Sequence, residues 1–343
     1  MRRRLAANGG DIVEQAIENQ IILQLDGVSK TFRTDLLQAP VQAVVDVTFA
    51  LRSGESMGYL GPNGSGKTTS IKCILALIQP SAGKIQLFGR DPNDAMARAR
   101  VGYLPESPYF YDYLTPIEVL DYVGKLYGLD TATRKKRIPQ LLDRLGLTQA
   151  SKRPLRGFSK GMLQRLGIAQ SLLSDPDLLI FDEPLSGLDP IGRKEVRELM
   201  AELRAEGKSL FFSSHVLTDI ETLCDSVCIL DRGKSVAQGK LSDLLQTDKL
   251  ESEVVLQLPM DPAQREAALL ALRPLGTPAR LEGDSVLHLR LPTGDVTQML
   301  GIALQVQAAV RELTPLRDSL EDLFVRKAVH VHEGGAAATE GSV

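Results

Sequence analysis

The chain has 343 residues, a formal net charge of −3 at pH 7, 43% hydrophobic residues and 24% charged residues. That length favours two domains, or one large domain with an appendage, and the composition is that of an ordinary globular protein. The slight acidity excludes a general nucleic-acid binder, which carries a basic excess, and no apolar stretch approaches the roughly 18 residues of a membrane span.

Three cysteines, Cys73, Cys224 and Cys228, make no disulfide framework and fit a reducing cytoplasm. Cys224 and Cys228, four apart, could hold a metal, but both sit in an apolar periodic segment without partner histidines. Met1-Arg2-Arg3-Arg4 has the charge of a secretion signal, yet Leu5 to Gln20 supplies no apolar core, so that reading is rejected. Arg134-Lys135-Lys136-Arg137 reads as a solvated helix face.

Residues 1–20 are expected to be a flexible extension. Alternation at Ile21, Leu23 and Leu25, then at Val45, Val47 and Phe49, predicts strands, with a surface loop over Thr34–Gln42. A short strand at Glu55–Leu60 leads into a Gly-rich loop, and Thr68–Ile78 has helical spacing that stops before Pro80. Residues 90–170 look mostly helical, broken at Pro105, Pro108, Pro116 and Pro154. Continuous apolar runs at Leu178–Phe181, Leu210–Ser213 and Val227–Leu230 predict buried strands, alternating with helices at 190–206 and 216–225. Such alternation implies a largely parallel sheet with helices on its faces. After about residue 248 the texture changes to strands at Glu253–Leu258 and Ser285–Leu291, helices at Pro262–Leu272 and Asp295–Leu304, and a last helix at Asp318–Lys327. The tail from His330 is rich in Gly, Ala and Glu and reads as disordered.

Gly61-Pro62-Asn63-Gly64-Ser65-Gly66-Lys67-Thr68 matches G-x-x-x-x-G-K-[ST] in full. Its glycines let the backbone close a ring of N–H groups around a polyphosphate, at the positive end of the helix that follows. Gly61, Asn63, Gly64, Ser65, Gly66, Lys67, Thr68 and Thr69 are therefore the candidate phosphate-binding residues. Lys67 would place its charge on the β- and γ-phosphates, and Thr68 would offer a hydroxyl to Mg²⁺. Asp182 and Glu183 emerge from the buried run Leu178–Phe181. Asp182 suits a Mg²⁺ ligand, while Glu183, facing the other way along an extended chain, suits the base that deprotonates an attacking water.

Four further motifs give the chain a family likeness. Phe158-Ser159-Lys160-Gly161-Met162 resembles the signature sequence of ATP-binding cassette (ABC) proteins, followed by Gln164-Arg165-Leu166. Ser186-Gly187-Leu188-Asp189 resembles their D-loop, His215 their switch histidine, and Phe32 the aromatic that stacks on adenine. The likeness covers roughly residues 21–245. It implies an α/β P-loop NTPase of the ABC type, with a mixed sheet core, an antiparallel β edge and a helical subdomain at about 90–170. A small C-terminal α/β domain would occupy 249–328, after a nucleotide-binding domain at 21–248, with a tail at 329–343.

The resemblance also implies a composite site: two cassettes pack head-to-tail, so Ser159 and the Gly161 N–H of one contact the γ-phosphate held by the other. Asp189 of the D-loop is a further candidate nucleotide-binding residue, and His215 bonds the γ-phosphate and helps hold the water. Three departures stand out. Phe158, Lys160 and Met162 replace residues of the commonest signature, Leu-Ser-Gly-Gly-Gln, and Lys160 points either to solvent or toward the phosphate. Glu106, in Tyr103-Leu104-Pro105-Glu106, stands where the Q-loop normally has glutamine, and as a carboxylate it can ligate Mg²⁺ but cannot donate a hydrogen bond. Phe32 replaces tyrosine and keeps the π-face, although it also reads as a core aromatic.

The Lys-Gly and Glu features resemble cassette subunits of type-2 exporters, as does the ending Asp318-Ser319-Leu320-Glu321-Asp322-Leu323-Phe324. The implied partners are a second cassette, most simply another copy, and a permease on a separate chain that keeps the protein peripheral on the inner face of the membrane. A soluble ABC ATPase outside transport is the alternative; the doubled cassettes, long coiled coils and zinc modules of such relatives are not seen here.

Overall fold

The computed structural model describes residues 20–33, 39–245, 251–277, 279–316 and 320–321. Residues 1–19 of the extension expected over 1–20, most of the loop after Arg33, nearly all of the helix at Asp318–Lys327 and the tail lie outside the described residues. The chain forms two compact units, the first ending at Leu241 and the second beginning at Ser242.

In chain order the first unit runs β1 (Ile21–Phe32), β2 (Val41–Arg52), β3 (Ser56–Leu60), α1 (Lys67–Ile74), β4 (Ala82–Leu87), α2 (Ala95–Arg98), β5 (Val101–Leu104), α3 (Pro116–Leu126) and α4 (Thr131–Arg144). It continues through α5 (Lys160–Leu172), β6 (Leu178–Phe181), α6 (Pro190–Ala205), β7 (Ser209–Ser214), α7 (Leu217–Leu223), β8 (Ser226–Asp231) and β9 (Lys234–Lys240); α8 (Leu241–Leu244) leads into the second unit. Six strands form one sheet in the order β5-β6-β7-β3-β8-β9, parallel except for β9. A second, antiparallel sheet has the order β2-β1-β4.

Every residue of β3, β6 and β7 is buried. This explains why these strands are continuous apolar or small-residue runs, since both faces of a parallel sheet are covered. One core joins the two sheets and α1. Leu23, Leu25 and Leu51 of the antiparallel sheet, Ile71 and Ile74 of α1, and Tyr59 and Phe211 of the parallel sheet are all inaccessible. Burial of each such side chain contributes about 1.5–3 kcal/mol. Phe49 stacks on Phe211 with ring centres 5.5 Å apart, and Tyr59 lies 5.2 Å from Phe211.

β4, β5 and β9 are not foreseen from sequence. β5 falls inside the stretch expected to be helical, but it pairs with β6 through Tyr103↔Ile180; a run of four residues shows no period that separates strand from helix. β2 starts at Val41, so the last two residues of the expected loop belong to it. Pro116 begins α3 rather than breaking a helix, at the first position after Thr115, whose side chain and that of Glu118 make a reciprocal capping box. In the basic run on α4, Lys135 and Lys136 are solvated as expected, whereas Arg134 is buried and bonds Asp121 at 2.8 Å.

The second unit runs β10 (Glu251–Gln257), α9 (Pro262–Leu272), β11 (Ala279–Glu282), β12 (Val286–Pro292), α10 (Val296–Gln305) and β13 (Ala309–Leu316). Its sheet has the order β11-β12-β10-β13 and is antiparallel throughout, the split βαβ arrangement of ferredoxin-like folds. Val254, Leu256, Leu287 and Leu289 pack with Ala268, Leu272 and Met299 from the two helices. β11 and β13 escape the sequence pattern. β11 is four half-exposed or exposed residues, and β13, at the sheet edge, exposes Ala309 through Thr314 and contains Pro315, which an edge strand tolerates.

Candidate functional site

The loop between β3 and α1 is shaped by glycines that nothing else could replace. Gly66 has φ +103°, and a Cβ there would lie 2.2 Å from the Ala43 carbonyl oxygen; a Cβ on Gly61 would lie 2.5 Å from that of Leu230. The loop is braced from below. The Tyr59 hydroxyl donates to Ser70 Oγ at 2.8 Å, and Ser70 donates to the Gly66 carbonyl at 3.1 Å. Burial of Tyr59 pushes its pKa well above the usual value, so it remains a donor. From the side, the Gly233 N–H donates to Ser65 O at 3.0 Å while Val45 donates to Gly233 O at 2.8 Å.

Lys67 is 6% exposed, and its ammonium donates to the carbonyls of Gly61 at 2.6 Å and Pro62 at 3.2 Å. The first turn of α1 contains no acid, so its N-terminal partial charge is left for an anion. Ser65 Oγ is buried without a hydrogen-bond partner among the described residues.

The two acids sit at the end of β6. Asp182 is 1% exposed and accepts from Ser213 Oγ at 2.6 Å. Burial, and then the charge of Asp182, pushes the Tyr103 hydroxyl up to about 12. Glu183 is not in an extended chain. Its φ is +49°, the left-handed region, which costs a non-glycine residue roughly 1–2 kcal/mol. The strand therefore ends at Phe181, and it is this turn, not strand alternation, that separates the carboxylates. Ser213 Oγ accepts the Glu183 N–H at 2.8 Å. The Glu183 side chain, buried, lies between His215, whose Nδ1 is 2.8 Å from Oε2, and Lys67, whose Nζ is 3.2 Å from Oε1.

These groups surround a cleft of about 300 Å³ walled by Ala43, Asn63, Gly64, Gly66, Lys67, Thr68, Thr69, Glu106 and Glu183. The loop residues thus meet Glu106 and Glu183 in one space; Asp182 is buried and does not wall the cleft, and His215 reaches the site through its bond to Glu183. The set suits Mg²⁺ beside a polyphosphate: it offers a hydroxyl on Thr68 and carboxylates on Asp182 and Glu106, all hard oxygen donors. A cavity of similar size, about 290 Å³, has an apolar wall of Ile117, Ile138, Pro139 and Leu142. Its charges are Lys135 and the mutually bonded Asp121 and Arg134.

Phe32 does not wall the cleft. It pairs with Val41, two residues from Ala43, is 37% exposed, and carries the Lys30 ammonium 5.2 Å above its ring. That exposure removes the core-aromatic reading. Ser159, Gly161 and Asp189 also lie apart from the cleft. Ser159 is exposed and caps α5, accepting from Met162 N–H at 3.2 Å, and Asp189 caps α6, accepting from Gly192 N–H at 2.8 Å. Lys160 takes neither expected direction alone. It is exposed, but its ammonium rests on Gly187, where a Cβ would lie 2.0 Å from Nζ. Gln164 links the two segments, donating to Pro184 O at 2.9 Å.

Cys224 and Cys228 are buried and approach serines, Sγ of Cys224 lying 3.9 Å from Ser56 Oγ and that of Cys228 3.4 Å from Ser235 Oγ. Among the described residues no group of three or more His, Cys, Asp or Glu side chains could hold a metal by itself. Sequence reasoning missed Ala43 and Ser213. No signal marks Ala43, which acts through its position on β2; Ser213 could have been found from the register that sets β7 beside β6.

Residues 44–186 match the family model described as ABC transporter. An uncharacterised ABC transporter ATP-binding protein of Synechocystis sp. is 41% identical over 303 residues, spanning 88% of this chain and 82% of the relative. The chain belongs to the ABC transporter family. Another relative, Nod factor export ATP-binding protein I of Ralstonia nicotianae, is 37% identical over 315 residues, 89% of this chain and 93% of that one. Among solved structures, an ATP-binding subunit of an ABC transporter matches 65% of this chain and 91% of its own with a TM-score of 0.58 and 36% identity. A dimeric ATP-binding cassette bound to ADP and Pi matches with a TM-score of 0.59, covering 64% of this chain and 99% of its own; at 22% identity it shows the shared fold. The first unit of this chain is therefore an ABC cassette, and its sequence relatives are ATP-binding proteins of the same family.

Proposed function

We propose that this ABC protein binds MgATP in the cleft at Gly61–Thr69, hydrolyses it, and energises an exporter whose membrane-spanning permease is a separate chain. The observation that carries the hydrolytic reading is Glu183, held at the mouth of the phosphate loop between Lys67 and His215. Backbone N–H groups from Gly64 to Thr69 surround the phosphates, Lys67 turns from Glu183 to the γ-phosphate, and Phe32 stacks on adenine. Thr68, Asp182 and Glu106 would hold Mg²⁺, which when bound neutralises charge on the phosphate oxygens. Glu183 takes a proton from water; the water oxygen bonds to the γ-phosphorus as the bond to the bridging oxygen breaks, releasing ADP and phosphate. His215 orients Glu183 and meets the γ-phosphate.

Ser159, Gly161 and Asp189 serve a second copy of the chain. They lie away from the cleft of their own cassette, and an exposed helix N-terminus at Ser159 suits an anion presented by a partner. ATP closes this head-to-tail pair and hydrolysis reopens it. No helix among the described residues is long and apolar enough to cross a membrane, which favours a separate permease and a peripheral position on its cytoplasmic side. The likeness to a Nod factor export protein over 93% of that protein's length supports export.

Affinity capture of Glu183→Gln from detergent-solubilised membranes with MgATP tests the coupling. A polytopic membrane protein recovered in stoichiometric yield is the expected result; recovery of only a second copy or of soluble partners points to a soluble ABC ATPase instead.

A further inference from the structure

Ser213 is fully buried near the end of β7, and its hydroxyl meets both acids of the site. It donates to Asp182 Oδ1 at 2.6 Å and accepts the Glu183 N–H at 2.8 Å. A hydroxyl has one proton and two lone pairs, so the two bonds are made together. The parallel register creates the meeting: Phe181 pairs with Phe212, which brings the next residues, Asp182 and Ser213, side by side. His215 follows two residues later and reaches Glu183 Oε2.

We propose that Ser213 is the positioning residue of the hydrolytic centre, fixing the Asp182 carboxylate and the left-handed turn that delivers Glu183 to Lys67 and His215. The inference deepens the ATPase reading and rests on it. The bond to Oδ1 engages one oxygen of Asp182 and restrains the carboxylate, leaving the other oxygen for a cation. The bond from the Glu183 N–H anchors a backbone conformation that a glutamate disfavours, φ +49°. With alanine at 213 a buried amide and a buried carboxylate oxygen lose their shared partner, and the turn relaxes toward geometries in which Glu183 no longer spans the space between Lys67 and His215. Ser213 itself touches no substrate, so its effect falls on turnover and on the use of Mg²⁺, not on the phosphate loop.

Full-length Ser213→Ala and Ser213→Thr are compared with the parent for kcat and KM for ATP, the Mg²⁺ concentration giving half-maximal rate, and amide hydrogen exchange across 181–184. For Ser213→Ala the expected result is a kcat loss of at least about tenfold, within the roughly 10²–10⁴-fold worth of a positioned base, with KM for ATP unchanged. Its Mg²⁺ requirement rises and the Glu183 amide exchanges faster, while Ser213→Thr, which keeps the hydroxyl, retains the larger part of kcat. Parental kcat and Mg²⁺ dependence in Ser213→Ala overturn the proposal. So does an equal loss in both variants accompanied by an equally lowered melting temperature, which marks packing alone. If the parent itself has no turnover, the ATPase reading falls, and the Glu183 exchange rate still decides whether Ser213 holds the turn.

Discussion

The two units of this protein keep their cores by different rules, and the difference decides how each is read. In the cassette, the central strands are buried on both faces: β6 is Leu178-Leu179-Ile180-Phe181 with every residue covered. In the second unit β10 alternates, with Ser252, Val254 and Leu256 buried and the residues between them half-exposed. A parallel sheet between helices needs continuous apolar runs, and an antiparallel sheet with one open face needs alternation. Chemistry follows the same division. The cassette places polar groups where its covered strands end, at Gly61 after β3, Asp182 after β6 and His215 after β7, so the site is built on rigid strand ends. The second unit buries one face against α9 and α10 and gathers no comparable cluster among its described residues.

The sharpest way to break this contrast is Glu183→Gln. It removes the proposed base but leaves the loop, so turnover should fall by roughly 10²–10⁴-fold, about 2.7–5.4 kcal/mol in activation free energy, with ATP still bound. Steady-state ATPase assays and nucleotide-binding titration check it; hydrolysis at the parental rate removes Glu183 from its role.

Next comes Asp219→Ala in the cassette. Asp219 is 1% exposed, bonds Arg193 at 2.7 Å and lies 3.6 Å from Arg197, tying α7 to α6. Breaking a buried pair strands its partners, and because these arginines are one-third exposed the loss should be about 3 kcal/mol, at the low end for such pairs. Denaturant unfolding measures it. In the second unit Leu256→Ala should cost about 2–3 kcal/mol by opening a cavity, yet leave ATP affinity unchanged; a weakened affinity would show that the units are not independent in function. The smallest effect belongs to Lys194→Ala, which removes an exposed pair with Glu198 at 3.7 Å. Its stability should change by less than about 0.5 kcal/mol, within a melting curve's resolution.

The parts of the site that are legible in the sequence are those whose chemistry is local. Gly61–Thr69 carries its own turn, helix start and ammonium within nine consecutive residues, and Asp182 and Glu183 follow directly from a buried strand. The signature, D-loop and switch segments are visible by resemblance. Glu183's left-handed turn was missed because φ is set by what surrounds it; Gly, Asn and Asp advertise such a conformation, and glutamate does not. Ala43 and Ser213 were missed because neither side chain declares a role until a neighbouring strand supplies it. Similarly, β5, β9, β11 and β13 are short, polar or at edges, where neither alternation nor a continuous apolar run marks a strand.

The sequence by itself therefore determined the kind of machine: a phosphate loop, paired acids and cassette motifs in order, followed by a second unit of different texture. Only the tertiary structure decided how the pieces meet. Parallel pairing of β6 with β7 sets Ser213 against Asp182 and His215 against Glu183, and β2 folds back to put Ala43 beneath Gly66. The physical reason is that residue type fixes which bonds a side chain can make, while strand register, set by burial of whole faces, fixes which partners come within reach.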